Sequence, residues 1–194
     1  MKVGFLGLGK LGLPVALEIE YKGHYVCGTD ISDTTIKNIK KKQIGYKEIW
    51  VEDYLKNTKL EVLDVEGVVK NSDIIFVPIQ TPHEEKYEGI TRIPKERADF
   101  NYKYLAKGMK ELSDEIEKNG QNKIVIIIST VLPGTIRKEI KPILSKKIQL
   151  CYNPFFIAMG STMRDFLHPE FVLFGVDDLG AYKICKEFYK SITK

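Results

Sequence analysis

Cysteine is scarce in this sequence, and the cysteines present show no pairing pattern. Cys27, Cys151 and Cys185 are the full complement. An odd number without C-x-x-C spacing argues against a disulfide framework and against a thiolate zinc site, so all three read as small buried apolar residues. Histidine is equally sparse. His24, His83 and His168 stand far apart without metal-ligand spacing, and no metal is expected. No apolar run approaches the roughly 20 residues needed to span a bilayer. No signal peptide is expected, because the apolar run after Lys2 breaks at once into glycines. Internal repeats and low-complexity linkers are also lacking. The expectation is a cytoplasmic globular protein without a membrane partner.

What is present is ordinary in bulk. Hydrophobic residues make up 43% and charged residues 29% of 194 residues, enough for one sizeable α/β domain, taken here as residues 1–194. The formal net charge is +4. Much of the basic excess lies in Lys37, Lys40, Lys41, Lys42 and Lys47. Without interleaved aromatics or a nucleic-acid motif, this cluster reads as a solvated helix face, and no nucleic-acid partner is expected.

The information is concentrated in the first fourteen residues, MKVGFLGLGKLGLP. Lys2–Leu6 reads as a buried strand and Pro14–Tyr21 as a helix. Between them, Gly7, Gly9 and Gly12 stand in G-x-G-x-x-G spacing, with Leu8, Lys10 and Leu11 in the variable positions. That is the strand–turn–helix setting of a dinucleotide fingerprint. The first glycine permits the tight turn, the second lets a pyrophosphate reach the backbone, and the third lets helix and strand pack closely. The helix N-terminus then faces the phosphates. Asp30 ends the next apolar run, eighteen residues past Gly12. A carboxylate there accepts hydrogen bonds from the adenine-ribose hydroxyls and repels a 2′-phosphate, which favours NAD over NADP. The competing reading is a cap for a helix beginning near Ser32 or Asp33.

Further along, the pattern predicts helix over Ser32–Lys42, with Ile36 and Ile39 inward, and a short helix over Trp50–Lys56. A strand is expected at Leu60–Leu63 and a helix over Asp64–Lys70 with Asp64 as its cap. Asp73–Val77 reads as a buried strand, Pro78–Ala98 as a long surface loop, and Tyr102–Lys118 as an amphipathic helix. Lys123–Ile128 is the strongest strand. Gly134–Ser145 reads as helix interrupted or ended near Pro142. Ile148–Tyr152 and Phe171–Val176 read as strands, and Asp178–Ile192 as a last helix. Strands alternating with helices call for a doubly wound, mainly parallel sheet of Rossmann type, covered on both faces. Its ligand edge, at the carboxyl ends of the strands, would carry Gly7–Gly12, Asp30, Pro78–His83, Ser129–Gly134 and the chain from Asn153 onward.

Four of these strand ends, taken together, resemble one family. They are GLGKLGLP at 7–14, the Gln80-Thr81-Pro82 turn, STVLPGT at 129–135, and YNPFFIAMGSTMRDFLHPEFVLFG at 152–175. In this order they resemble the UDP-glucose/GDP-mannose dehydrogenase family of nucleotide-sugar 6-dehydrogenases. The resemblance covers essentially the whole chain but only the NAD-binding portion of that family, so no substrate-binding C-terminal domain is expected in this chain.

The resemblance implies oxidation of a sugar CH₂OH to a carboxylate with NAD, through a cysteine-held intermediate and a thioester. It implies NAD contacts from Gly7, Leu8, Gly9, Lys10, Leu11, Gly12 and Asp30, from Ile79, Gln80, Thr81 and Pro82, and from Ser129, Thr130 and Val131. Thr130 would also position the catalytic water or a reacting oxygen; its alternative is a helix cap before Pro133. Asn153, Phe155, Phe156, Ile157, Ala158 and Met159 would face the nucleotide sugar. The departures fall on this sugar-facing half. The family's glutamate after Asn-Pro is Phe155, which cannot transfer a proton. A second glutamate is Met159. The arginine of the family's Asn-Pro-Asp-Arg-Val stretch is Phe171. The basic residue five after the aspartate is Thr35. The family's nucleophilic Gly-x-Cys-Phe-Pro-Lys-Asp motif surrounds none of the three cysteines. Two alternatives stand beside a dehydrogenase domain: a non-catalytic NAD-binding module or inactive relative, and a dehydrogenase of the 6-phosphogluconate/β-hydroxyacid type. A monomer or weak dimer is expected.

Overall fold

The structure, a computed structural model, describes residues 1–90 and 92–193. Seven strands form one sheet: β1 (Lys2–Leu6), β2 (Tyr25–Thr29), β3 (Glu61–Val62), β4 (Ile74–Val77), β5 (Lys123–Ile127), β6 (Ile148–Tyr152) and β7 (Gly175–Val176). Their order is β3-β2-β1-β4-β5-β6-β7. All pairings are parallel except that of β7 on β6. The helices are α1 (Gly12–Tyr21), α2 (Asp33–Lys40), α3 (Val51–Asn57), α4 (Val65–Asn71), α5 (Lys103–Asn119), α6 (Thr162–Leu167) and α7 (Leu179–Ile192). This is the doubly wound α/β architecture expected from the sequence.

The apolar strand runs are buried on both faces, and side chains divide between the faces with a period of two. Val3, Phe5, Ile74, Phe76, Ile124 and Ile126 enter one core with Leu13 and Leu17 of α1 and Phe188 of α7. Ile75, Val77, Val125 and Ile127 enter the other, with Val68 of α4 and Leu105 and Met109 of α5. Caps set the helix starts. Ser32 Oγ accepts from Thr35 N–H at 3.2 Å, Asp64 from Gly67 N–H at 2.8 Å, and Asp178 from Ala181 N–H at 2.7 Å.

Four elements differ from expectation. The strand expected over Phe171–Val176 contracts to β7, which runs antiparallel, and Phe171 and Leu173 are exposed. The Leu173 carbonyl bonds to the Asn153 side chain instead of a ladder partner, which keeps this stretch off the sheet. Leu60–Leu63 shortens to the two residues of β3. Gly134–Ser145 is a π-helical turn (Ile136–Ile140) running into a 3₁₀ turn (Lys141–Ile143), as Pro142 has no N–H to continue an α-helix. Helix α6 has no signal in the local sequence pattern. Its six residues are too few to show a helical period, and Glu48 caps it from far away in sequence by accepting the N–H groups of Thr162 at 2.7 Å and Gly160 at 2.8 Å.

One buried titratable group stands out. Glu18 of α1 is fully buried, and neither of its carboxylate oxygens finds a hydrogen-bond partner among the described residues. Burial raises its carboxyl above the usual range, against a smaller opposite pull from Lys22. The folded chain thus retains a proton that the unfolded chain releases. Stability therefore falls as pH rises from the ordinary carboxylate range until the raised folded value is passed. We predict that Glu18→Met stabilises the protein by about 1–3 kcal/mol at pH near 8. Its advantage should shrink as pH is lowered towards 4, read by denaturant melts across that range.

Candidate functional site

Strand register brings the candidate residues to one edge. Leu6 pairs with Thr29, Phe5 with Phe76, Val77 with Ile127, and Ile127 with Tyr152. The residues that follow these strands, Gly7, Asp30, Pro78, Ile128 and Asn153, therefore sit at one end of the sheet. The chain leaves β1 towards β2 on one side and β4 flanks it on the other, so β1 stands at the topological switch point where α/β sheets open a crevice.

The loop after β1 takes its shape from its glycines. Gly7 has φ +125°, in the region that favours glycine, and its N–H donates to Thr29 O at 2.9 Å. A Cβ on Gly12 would lie 2.1 Å from the Gly7 carbonyl oxygen, so only glycine lets α1 start this close to β1. A Cβ on Gly9 would meet nothing within 4 Å, and the backbone there is open to an approaching group. The side chain of Leu8 is fully buried and packs over Gly28, so this residue can offer a ligand backbone only. Lys10 is exposed and Leu11 half-buried. No side chain caps α1.

The Asp30 carboxylate ties this loop to β2. One oxygen accepts Leu8 N–H and the other Ser32 N–H, each at 2.8 Å. The helix cap is Ser32, so the capping alternative for Asp30 is displaced by one residue pair along the chain. Each Asp30 oxygen has lone-pair capacity beyond its one backbone bond, as two ribose hydroxyls would need.

The loops after β4 and β5 are joined. Ile79 packs over Gly108 of α5, and Gln80 is exposed. Thr81 Oγ1 donates to Thr130 O at 2.7 Å, and Pro82 O accepts Asn101 N–H at 2.7 Å. Ser129 is buried and its hydroxyl donates to Val77 O at 3.1 Å. Val131 packs on the α4–α5 core. Thr130 is exposed and caps no helix, since the next helical turn begins only after Thr135.

Beyond β6 the arrangement is different. Asn153 is 1% exposed and its polar atoms are used internally. Its N–H reaches Ile127 O at 2.9 Å, its side-chain amide donates to Leu173 O at 2.9 Å, and its side-chain oxygen accepts from Tyr189. The structure thus makes it a structural tie between β6, the Phe171–Phe174 stretch and α7. Phe155 is half-buried, its ring 5.3 Å from that of Phe166. Phe156 is exposed, 4.7 Å from Phe171. Ile157 is half-buried, and Ala158 and Met159 are exposed. A cleft of about 420 Å³ opens here, walled by Phe155, Phe156, Phe166, His168 and Phe171, with Asp165 and Glu170 contributing charge. Asp165 is held below the usual carboxylate range, first by the Ala158 N–H and then by Ser161 and Arg164.

Tyr102, Asp99 and Glu48 reach this edge only through the fold. Tyr102 hydrogen-bonds Asp99, Leu132 N–H and Thr135, and Glu48 holds the start of α6. These bonds link residues remote in sequence, and only the aromatic start of a helix or an isolated acid marks them locally. Among the described residues no helix is long and apolar enough to cross a membrane.

Comparison with known proteins places this geometry. The family model described as "UDP-glucose/GDP-mannose dehydrogenase family, NAD binding domain" matches residues 1–193. The UDP-glucose 6-dehydrogenase of Rickettsia prowazekii is 28% identical over 201 aligned positions, spanning 100% of this chain and 43% of that protein. A GDP-mannose dehydrogenase structure from Pseudomonas aeruginosa superposes with a TM-score of 0.86 at 23% identity, over 99% of this chain and 44% of that one. A UDP-glucose dehydrogenase structure from Pyrobaculum islandicum gives 0.85 at 22% identity, over 98% and 44%. At these identities the structural matches speak for the fold. The chain spans less than half the length of the curated relatives it matches. With the family model covering nearly every residue, the chain belongs to the UDP-glucose/GDP-mannose dehydrogenase family, as its NAD binding domain.

Proposed function

We propose that this chain, as one domain over residues 1–194, holds NAD for a nucleotide-sugar dehydrogenase, with the dinucleotide laid across the carboxyl edge of the sheet. The observation that carries this reading is the Gly7–Gly12 loop, in which Gly9 leaves the backbone uncovered while Asp30 faces the loop with lone pairs to spare. When bound, NAD supplies the hydride acceptor. The chain's own residues bind and orient it. The Gly9–Gly12 backbone and the start of α1 take the pyrophosphate. Asp30 takes the adenine ribose and disfavours a 2′-phosphate. Ile79–Pro82 and Ser129–Val131 flank the rest, and Thr130 offers an exposed hydroxyl for a water or a reacting oxygen. The cleft walled by Phe155 and Phe156 would receive the nucleotide sugar. We infer a cytoplasmic protein, since three free cysteines suit a reducing compartment. We also infer a monomer, or a weak dimer through the exposed Phe156–Phe171 patch.

A second reading, a non-catalytic NAD-binding module, is favoured by Phe155. The family's acid is replaced by a ring packed against Phe166. Cys27, Cys151 and Cys185 are moreover all fully buried, and none of their thiols can attack a substrate.

Two measurements test these readings. In calorimetric titrations the chain should bind NAD more tightly than NADP. Asp30→Asn, which keeps an acceptor but removes the charge, should cut that preference roughly tenfold. Tighter NADP binding by the wild type, or no saturable NAD binding, would refute the Asp30 assignment. In an NADH-formation assay with UDP-glucose or GDP-mannose the chain alone should show no turnover. Phe155→Glu should not restore it, because no reachable thiol is present. Sugar-dependent NADH from either protein would overturn that reading.

A further inference from the structure

We propose that Tyr102 is a positioning residue for the nicotinamide end of the cofactor site, its phenol clasping the loop after β5 so that Ser129–Val131 stand against the Ile79–Pro82 loop. This rests on the NAD reading above.

The phenol is saturated. A tyrosine hydroxyl offers one donor and two lone pairs. Here the proton goes to Asp99, and the oxygen accepts Leu132 N–H at 3.1 Å and Thr135 Oγ1–H at 3.2 Å. Asp99 is itself steadied by Phe100 N–H at 2.7 Å. Burial, and then the Asp99 bond, raise the phenol above the usual tyrosine range, so it remains a donor at neutral pH. The two bonds it accepts grip both ends of the Leu132–Thr135 segment, which immediately follows the residues proposed to touch NAD.

Two further links beside Tyr102 complete a three-segment junction. Asn101, its neighbour, donates its N–H to Pro82 O at 2.7 Å, while Thr81 Oγ1 reaches Thr130 O at 2.7 Å. Phe100 lies between His83 and Tyr102, with ring centroids at 5.8 and 6.4 Å. The end of β4, the start of α5 and the end of β5 are thereby held in one register. Thr130 and Leu132 are exposed, so core packing does little to hold these two, and between the core anchors at Ser129, Val131 and Thr135 their placement rests on these bonds.

The sheet order decides which end of the dinucleotide is affected. Asp30 follows β2, on one side of β1, and is assigned the adenine ribose. The Tyr102 junction lies beyond β4 and β5, on the other side. A dinucleotide crossing the switch point carries its nicotinamide half to that side.

The test compares NAD with ADP-ribose, which lacks the nicotinamide. Tyr102→Phe keeps the ring and removes the hydroxyl. It should weaken NAD binding roughly tenfold and leave ADP-ribose binding unchanged. Asp30→Ala should weaken both. Amide exchange at Leu132, measured without ligand, should be at least several-fold faster in Tyr102→Phe. Unchanged NAD affinity, an equal loss for both ligands, or unchanged Leu132 exchange would overturn the proposal. If the wild type bound neither ligand, the NAD assignment would fall, and this role with it; loss of NAD alone in the variant would leave that assignment standing.

Discussion

The contact between Gly12 and the Gly7 carbonyl is the constraint from which the rest of the cofactor edge follows. No side chain fits between them. Helix α1 therefore begins directly against the end of β1, with its first-turn amides beside the loop. The chain must reverse within a few residues, and Gly7 absorbs the reversal at positive φ. That turn sends the Leu8 side chain into the core over Gly28, the one kind of residue in β2 that leaves room for it. With its side chain buried, Leu8 presents its N–H sideways to Asp30. One close approach thus sets the loop, the helix start and the carboxylate that faces them. A methyl group at Gly12 would disturb all three.

The two halves of the ligand edge differ in how their polar groups are used. On the cofactor side, hydrogen-bonding capacity is left over: an uncovered backbone at Gly9, a carboxylate with spare lone pairs and an exposed threonine. On the other side capacity is used up. Asn153 is satisfied by Ile127, Leu173 and Tyr189. Glu48 is occupied by Gly160 and Thr162, and Asp165 by Ala158, Ser161 and Arg164. Buried polar groups demand partners, and here those partners come from the protein itself. What this half offers a ligand is mostly aromatic surface.

What could be read from the sequence follows from the range of the interactions involved. β1, β4 and β5 are continuous apolar runs buried on both faces, so composition alone marks them. The glycine loop is local: Gly7 takes the positive φ, Gly9 leaves the backbone open and Gly12 allows the close approach, all within six residues. Asp64 and Asp178 cap the helices they immediately precede. The elements that are not legible in the sequence depend on distant partners. Helix α6 needs Glu48, more than a hundred residues away. The Phe171–Phe174 stretch alternates like a strand, but its carbonyl at Leu173 is claimed by Asn153. Tyr102 looks like any amphipathic helix start until Leu132 and Thr135 are brought to it. Asp30 is ambiguous in sequence for the opposite reason: two local roles are open to it, and Ser32 takes the capping one.

The replacement of the family's acid by Phe155 is a change of environment as much as of a residue. Its ring packs on Phe166, which in turn meets Tyr189 at 6.1 Å, and both belong to the core on the α7 side of the sheet. A carboxylate placed among these rings would lose part of its hydration, and two polar groups of the same cleft, Asn153 and Tyr189, already bond to each other. Desolvation would raise its pKa and favour the neutral form. Such a group could serve as an acid, yet it could not stay ionised as the base that activates water without a cation to pair with. Phe171 occupies the position where the family carries an arginine. Together the two departures take an acid and a base out of one cleft and leave aromatic surface in their place, beside the charges of Asp165 and Glu170.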